Sequence, residues 1–234
     1  MLQIPDRPNA FVAVLADGMG GQKHGALAAQ AVIETARQML AAAADEDPRR
    51  FLSGLCHRAD AEIRRIGRAQ GSSPASTCVA LLVRGYEAYW VNVGDSRLYH
   101  FEAGRLLSRT TDHTVAEALH RQDDDSASPA DTQPDRRLTM CLGGQNVLEP
   151  AFGVSAVGPK DWFVLCSDGL WNQAEPEQLA REAVNTNVTP TATELARQAV
   201  DRAGPASDNV CVLIARPAAA RQKGLWRRLF SGGD

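Results

Sequence analysis

Short apolar runs that end at turn residues alternate along the chain with longer segments of helical periodicity. Residues 11–16 form an apolar run that Asp17-Gly18 closes, which predicts a buried strand rather than a helix. Apolar residues then recur every three or four positions over 24–44 and over 49–70, and strong breakers follow both patterns. These two segments therefore predict amphipathic helices.

Antiparallel strands are predicted in the middle of the chain. β-Prone runs over 77–83 and 86–93 flank an Arg-Gly pair, and runs over 98–101 and 105–108 flank a Gly-containing triplet, which predicts two hairpins. The later predicted elements are, in order, a short helix over 115–122, a strand over 162–166, helices near 175–184 and 191–203, and a last strand over 210–215. This order predicts an α+β fold whose helices cover sheet faces.

Two segments fall outside these patterns. Residues 122–137 are acidic, rich in Ser and Pro and free of large apolar groups, so we expect a mobile surface excursion rather than a domain boundary. We expect residues 1–216, including this excursion, to form one domain. The tail over 217–234 is basic and carries aromatic residues; we expect it to be flexible, although contact with a membrane surface or a partner is an alternative.

Composition narrows the possible partners and compartments. The chain has 234 residues, a formal net charge of −3 and a pI near 6.0, which argues against a nucleic-acid binder. Its five cysteines form no CxxC pair and are expected to be reduced core residues. The sequence contains no apolar run long enough for a membrane helix, so we expect a cytoplasmic protein without stable membrane insertion.

The candidate chemistry lies in four aspartates beside predicted strands. They occur in Asp17-Gly18-Met19-Gly20-Gly21, Gly94-Asp95-Ser96-Arg97, Ser167-Asp168-Gly169-Leu170 and Ser207-Asp208-Asn209. Each motif alone is equally consistent with an ordinary turn, because Asp, Asn and Gly favour turns. Carboxylates that converge at one end of a sheet would repel unless cations neutralised them. Oxygen-only ligands favour Mg²⁺ or Mn²⁺ over zinc, which normally recruits His and Cys.

The order of the motifs resembles a known family. ADGMGG is followed by ST before a strand pair, then by GDSR, DH, LT with LG, SDGL and DN. Over about residues 10–215 this string is similar to the PPM family of metal-dependent Ser/Thr phosphatases, the protein phosphatase 2C-like enzymes, in their compact bacterial form. The resemblance implies a four-layer α-β-β-α sandwich of two antiparallel sheets, with a variable flap at about 114–137 beside the active site.

The resemblance also implies the site. Asp17 would bridge two metal ions, the Gly18 carbonyl would bind one of them, and Asp168 and Asp208 would complete the other site. Asp95 would bind a third, weaker ion together with Asp168. A hydroxide bridging the metals would attack the phosphorus of phosphoserine or phosphothreonine in proteins, without a protein nucleophile.

The biological expectations follow from the same resemblance. The protein would reverse the action of a bacterial Ser/Thr kinase and act as a monomer on phosphorylated proteins.

Two histidines lie close in sequence to the aspartate motifs. His24 and His113 are candidate general acids, although an exposed or structural histidine is the alternative for each.

One family motif is missing from the sequence. Active relatives carry R-x-x-N-E-D before the first Asp-Gly strand, and residues 7–9, Arg-Pro-Asn, resemble that motif only weakly. The strand at 11–16 would then lack a neighbour, and one metal site would lack a Glu ligand. We favour a truncated start over a natural variant with weak catalysis. The alternative functions are a pseudophosphatase that binds phosphoproteins and a hydrolase of small phosphate esters.

Overall fold

The computed structural model describes residues 1–5, 7, 10–120, 135–182 and 188–217. Within this part of the chain the strands are β1 Leu2–Gln3, β2 Ala10–Leu15, β3 Gly18–Met19, β4 Ala75–Ser76, β5 Cys78–Arg84, β6 Glu87–Val93, β7 Arg97–Glu102, β8 Arg105–Arg109, β9 Ala151–Ala156, β10 Asp161–Cys166 and β11 Val212–Ala215. The helices are α1 Gln22–Met39, α2 Pro48–Gln70, α3 Val115–His120, α4 Asp168–Trp171, α5 Pro176–Glu182 and α6 Val188–Ala203. Short 3₁₀ turns follow α1 at Leu40–Ala44 and α6 at Gly204–Ala206.

Two antiparallel sheets form the centre of the fold. One has the strand order β1-β2-β5-β6-β9 and the other has the order β11-β10-β7-β8. Leu81 of the first sheet and Leu98 and Phe163 of the second belong to the apolar layer between them. α1 and α2 bury a second apolar cluster against the first sheet, and α4, α5 and α6 bury a third against the second sheet. The predicted α+β class and the four-layer α-β-β-α sandwich are therefore confirmed.

The helix signals in the sequence agree closely with the structure. α2 begins after Asp47, whose Oδ1 accepts a hydrogen bond of 2.9 Å from the Arg50 amide, and Pro48 occupies its first turn. It ends at Gly71, whose φ of 58° is the left-handed conformation that glycine adopts readily. The helix predicted over 24–44 is present as α1, with its last part wound as a 3₁₀ turn.

Both predicted hairpins are present. β5 pairs with β6 across Gly85-Tyr86, and the continuous burial of β5 explains its unbroken apolar run. β7 pairs with β8 across Ala103-Gly104, where both residues have positive φ, as the tight hairpin turn requires. The connecting turns thus follow from the Gly positions in the sequence.

The structure corrects three expectations. β9, an edge strand paired with β6, was not predicted, because its mixed sequence AFGVSA shows neither an apolar run nor clear alternation. β2 does have a neighbour at its start, since Leu2 and Gln3 pair with Val12 and Phe11. Not all cysteines are core residues: Cys56, Cys78 and Cys166 are buried, but Cys141 is half-buried and Cys211 is exposed, and all five are free thiols.

The segment expected to form the flap has a closed base. Thr114 forms a β-bridge with Leu138, the Val115 amide donates 3.0 Å to the Arg137 carbonyl, and the Ala116 amide donates 2.9 Å to the Asp135 carbonyl. We call these contacts the neck. Most of the excursion predicted over 122–137, the last two residues of the helix predicted over 115–122, and nearly all of the tail over 217–234 lie outside the described residues. Among the described helices, none has the length and apolar character needed to cross a membrane.

The buried pair His100–Asp161 gives a prediction about stability. His100 Nε2 lies 3.4 Å from Asp161 Oδ2, and the imidazole stacks on Phe163 between the sheets. Burial lowers the pKa of His100, although Asp161 and Glu102 act in the opposite direction. In the unfolded chain the histidine pKa is about 6.5, so that state takes up the proton first as the pH falls. The free energy of unfolding should therefore decrease below about pH 6.5.

Urea denaturation at pH values above and below this point measures the effect. A His100→Gln variant cannot take up this proton, so it should lose less stability on acidification than the unmodified protein. Equal losses in the two proteins would contradict the assignment.

Candidate metal centre

The aspartates from the predicted motifs lie at the ends of strands from both sheets. Asp17 follows β2 and Asp95 lies between β6 and β7, whereas Asp168 follows β10 as the first residue of α4. Asp208 precedes β11 in the segment that leads to it from α6. Each is half-buried or exposed at the end of a strand whose body is part of the apolar core.

The backbone of Asp17 is fixed by the Ser-Thr pair that the sequence places before β5. The Asp17 amide donates 3.0 Å to Thr77 Oγ1, while the Thr77 amide donates 2.8 Å to the Asp17 carbonyl. The Ser76 hydroxyl donates 3.0 Å to the same carbonyl. Thr77 Oγ1 also lies 2.7 Å from Ser96 Oγ, which links the Asp17 turn to the GDSR turn. Two of the motifs are thus tied together by hydrogen bonds.

A second set of contacts joins the SDG and DN motifs. The Ser167 hydroxyl donates 3.1 Å to the Asn209 carbonyl and accepts 3.0 Å from the Cys211 amide. A Cβ atom on Gly169 would lie 2.5 Å from the Asn209 carbonyl oxygen, so only glycine allows this close approach. Asp168 and Asp208 are therefore brought together by the strand pair β10–β11 and by the loop contacts at its end.

The carboxyl groups act on one another electrostatically. The pKa of Asp17 is raised to about 6, chiefly by burial and then by the charges of Asp168, Asp208 and Asp95. Burial and Asp168 raise the pKa of Asp95 to about 6, and burial and Asp208 raise that of Asp168. All four carboxyl groups therefore belong to one electrostatic cluster.

The cluster suits hard divalent cations. Among the described residues, no three His, Cys, Asp or Glu side chains are already arranged as a closed metal-ligand set. Asp168, Asp208 and Asp95 nevertheless lie close enough to Asp17 to raise its pKa. Partly buried carboxylates with raised pKa values gain most from a neighbouring positive charge, and oxygen donors match Mg²⁺ and Mn²⁺. The donor set therefore fits the metal ions expected from the sequence.

A buried ion pair beside the cluster was not predicted. Asp112 accepts hydrogen bonds from Arg97 Nη2 at 2.6 Å and from Arg97 Nε at 2.9 Å. The Arg97 guanidinium lies 3.6 Å from the centre of the Trp171 ring, and the Trp171 indole donates 2.9 Å to the Asp95 carbonyl. Arg97, Asp112 and Trp171 belong to the sequence motifs GDSR, DH and SDGLW, but the spacing of these motifs along the chain does not show that the three side chains contact one another.

The histidine candidates differ in their surroundings. His113 Nδ1 accepts a hydrogen bond of 3.1 Å from the Gly94 amide, and its own amide donates 2.9 Å to the Gly94 carbonyl. These contacts hold the GDSR turn, which supports the structural alternative for His113. His24 lies in the first turn of α1, close after Gly20-Gly21. Neither contact pattern identifies a general acid.

Comparison with known proteins agrees with this arrangement. The family model described as protein phosphatase 2C matches residues 3–203. The Mycobacterium tuberculosis serine/threonine protein phosphatase PstP is 31% identical in an alignment of 216 positions, which covers 88% of this chain and 40% of PstP. The chain therefore belongs to the protein phosphatase 2C family, and it spans less than half the length of this relative.

Two solved structures extend the similarity. PppA, described as a key regulatory component of T6SS in Pseudomonas aeruginosa, has a TM-score of 0.73 and 28% identity, with 88% of this chain and 85% of that chain covered. The catalytic domain of PstP in complex with two manganese ions has a TM-score of 0.73 and 26% identity, with 92% and 94% covered. The two-sheet fold of the chain is thus shared with these two proteins of known structure, one of which is named as a phosphatase.

The Arg97–Asp112 pair predicts a large effect on stability. Asp112→Ala would leave the guanidinium of Arg97, whose side chain is only 16% exposed, without its carboxylate partner. We expect the free energy of unfolding to fall by about 3 kcal/mol, because removing one member of a buried pair leaves an uncompensated charge. Urea denaturation measures this. Glu62→Ala, which breaks the exposed pair with Arg65, is the control and should change little. Similar losses in both variants would contradict the prediction.

The raised pKa values predict how metal binding depends on pH. Asp17 and Asp95 have pKa values of about 6, so protons compete with cations below that pH. We expect Mn²⁺ affinity to be roughly tenfold or more weaker at pH 5 than at pH 7.5. Isothermal titration calorimetry with Mn²⁺ measures the affinity. Asp17→Asn should bind weakly at both pH values, and a pH-independent affinity of the unmodified protein would overturn the assignment.

Proposed function

We propose that this chain is a metal-dependent phosphatase that hydrolyses phosphoserine and phosphothreonine in proteins. The observation that carries the proposal is that Asp17, Asp95, Asp168 and Asp208 lie together at the ends of strands from two sheets, where burial and neighbouring carboxyl groups raise the pKa of the first three. The family membership and the names of the relatives support the same reaction. The proposal covers this domain, since the PstP relative is longer.

The proposed ligand set follows the motifs. Asp17, the Gly18 carbonyl, Asp168 and Asp208 would hold two Mn²⁺ or Mg²⁺ ions, and Asp95 would hold a third together with Asp168. The electrostatic contact between Asp95 and Asp168 supports the third position. A Cβ on Gly18 would lie 1.9 Å from the Gly25 carbonyl oxygen, so this position requires glycine beside α1. When bound, the ions would lower the pKa of water and offset the charge of the phosphate.

The protein side chains have supporting tasks in this reaction. Thr77 and Ser76 fix the backbone of Asp17, which limits the positions that its carboxylate would take when it binds a cation. Ser167 holds the DN loop against the SDG turn and thereby keeps Asp208 beside Asp168. Trp171 ties the Asp95 backbone to the Arg97–Asp112 pair. Rigid support of this kind preserves the geometry of metal ligands and is worth about 10- to 100-fold in affinity or activity.

The substrate and the setting are further parts of the proposal. The substrates would be phosphoproteins modified by a bacterial Ser/Thr kinase, and the protein would act as a monomer in the cytoplasm. The names of the relatives support the substrate class. Free cysteine thiols throughout the chain are typical of proteins in a reducing compartment. A pseudophosphatase has no support from these relatives, which are named as phosphatases.

A peptide assay tests the proposed function. The protein should release phosphate from a phosphothreonine peptide in the presence of Mn²⁺, and Asp17→Asn should lower kcat/KM by at least about 100-fold. Glu62→Gln removes a carboxylate from the exposed face of α2 and serves as the charge-matched control, with activity close to that of the unmodified protein.

Three outcomes distinguish the hypotheses. Turnover that depends on Mn²⁺ and on Asp17 supports the phosphatase. Mn²⁺ binding without turnover of the phosphopeptide or of an aryl phosphate would overturn it in favour of a binding module. Efficient turnover of the aryl phosphate alone would overturn the protein-substrate part and favour a hydrolase of small phosphate esters.

A further inference from the structure

An arginine next to the neck lies beside Asp17, Asp95, Asp168 and Asp208, the four aspartates of the candidate metal centre, which we call the metal cluster. Arg136 Nη1 donates a hydrogen bond to Asn172 Oδ1, and its guanidinium lies 5.2 Å from the centre of the Trp171 ring. Trp171 and Asn172, which make these two contacts, lie three and four residues after Asp168, at the end of α4. Positions with this spacing share one face of a helix, so Arg136 lies about one helical turn from the Asp168 carboxylate. The arginine also opposes the rise in the pKa of Asp168 that burial and Asp208 cause.

The backbone of the neck fixes this position. The residues on both sides of Arg136 accept hydrogen bonds at their carbonyls, Asp135 from the Ala116 amide and Arg137 from the Val115 amide. Asp135 and Arg137 pair with each other through their side chains at 2.6 Å. The Arg136 side chain takes no part in that pair and instead contacts Trp171 and Asn172 at the end of α4. The placement of Arg136 is therefore set by described contacts.

The two arginines next to the cluster differ in what they can still bind. Arg97 is largely buried and forms hydrogen bonds with both Asp112 oxygens and with the Tyr99 hydroxyl. Its donors are directed into the protein. Arg136 is exposed and bonds to a neutral amide oxygen, so its charge is not neutralised by that contact. A guanidinium has five N–H donors in a planar fork, which matches the oxygens of a phosphate.

We propose that Arg136 binds the phosphate group of the substrate beside the metal cluster. This inference rests on the proposed function, because it takes the ligand to be a phosphate monoester. Arg136 is exposed at the end of α4 and would add a positive charge and N–H donors for the phosphate beside the carboxylates. Stacking on Trp171 and the bond to Asn172 restrict the rotamers of the arginine, so less conformational entropy is lost on binding.

Equilibrium binding of inorganic phosphate to the Mn²⁺-loaded protein tests this role. Isothermal titration calorimetry should show that Arg136→Ala weakens phosphate binding by roughly 10- to 100-fold, the range for a hydrogen-bonded charge. Arg136→Lys should recover part of the affinity, since lysine keeps the charge without the fork. Arg137→Ala is the matched control, because it removes the same charge from the adjacent residue, and it should stay within about twofold.

Two further measurements separate contact with phosphate from an indirect effect on the metal ligands. Mn²⁺ affinity should be equal or tighter in Arg136→Ala, because a cation near Asp168 has been removed. With the phosphothreonine peptide, KM should rise more than kcat falls, as expected for a contact already made in the ground state. Thermal unfolding should be unchanged.

The possible results are distinct from those for the proposed function. Equal phosphate affinities of Arg136→Ala and Arg137→Ala would overturn the role of Arg136, even if the protein is an active phosphatase. A parallel loss of Mn²⁺ and phosphate affinity would overturn it as well, because Arg136 would then act through Asp168. Phosphate binding that depends on Arg136 in a protein without turnover would support this inference while the proposed function fails.

Discussion

Electrostatic repulsion among four half-buried or exposed aspartates is the constraint on which the surrounding structure depends. Asp17, Asp95, Asp168 and Asp208 each come from the end of a different strand, and burial together with their neighbours raises the pKa of three of them. Such a cluster destabilises the fold unless the strands beneath it are held firmly. The two sheets meet this requirement, since Leu81, Leu98 and Phe163 between them are fully buried. Apolar packing between the sheets therefore offsets the electrostatic repulsion among the four aspartates.

The strand ends are fastened by polar contacts as well as by apolar packing. Thr77 and Ser96 join turns that follow β2 and β6, and Ser167 joins the turns on either side of the β10–β11 pair. Trp171 connects the two groups, because it belongs to α4 but its indole bonds to the Asp95 carbonyl. The serine and threonine residues beside the aspartates thus link neighbouring turns through hydrogen bonds. Their hydroxyls hold backbone groups in place, and the carboxyl groups of the aspartates take no part in these hydrogen bonds.

The sequence allowed much of this arrangement to be predicted. Apolar runs closed by Asp-Gly gave the strand ends, and the family resemblance gave the layers and the order of the site residues. β9 was missed because a strand with Gly153 in its middle has no apolar signature; a Cβ there would lie 2.2 Å from the Trp90 ring. The Arg97–Asp112 and His100–Asp161 pairs were missed for another reason. Each joins residues from different elements, and charge pairing across elements has no periodicity to detect.

The neck has a consequence for how the domain can vary between proteins. Thr114 and Leu138 close the base of the excursion, and the two backbone hydrogen bonds next to this bridge fix where the chain leaves and where it returns. The conformational entropy lost in closing such a loop grows only slowly with its length. Residues can therefore be inserted or deleted above the neck with little effect on the placement of α4 and the aspartates. This geometry separates two properties that selection can change independently: the length of the segment above the neck and the arrangement of the four aspartates.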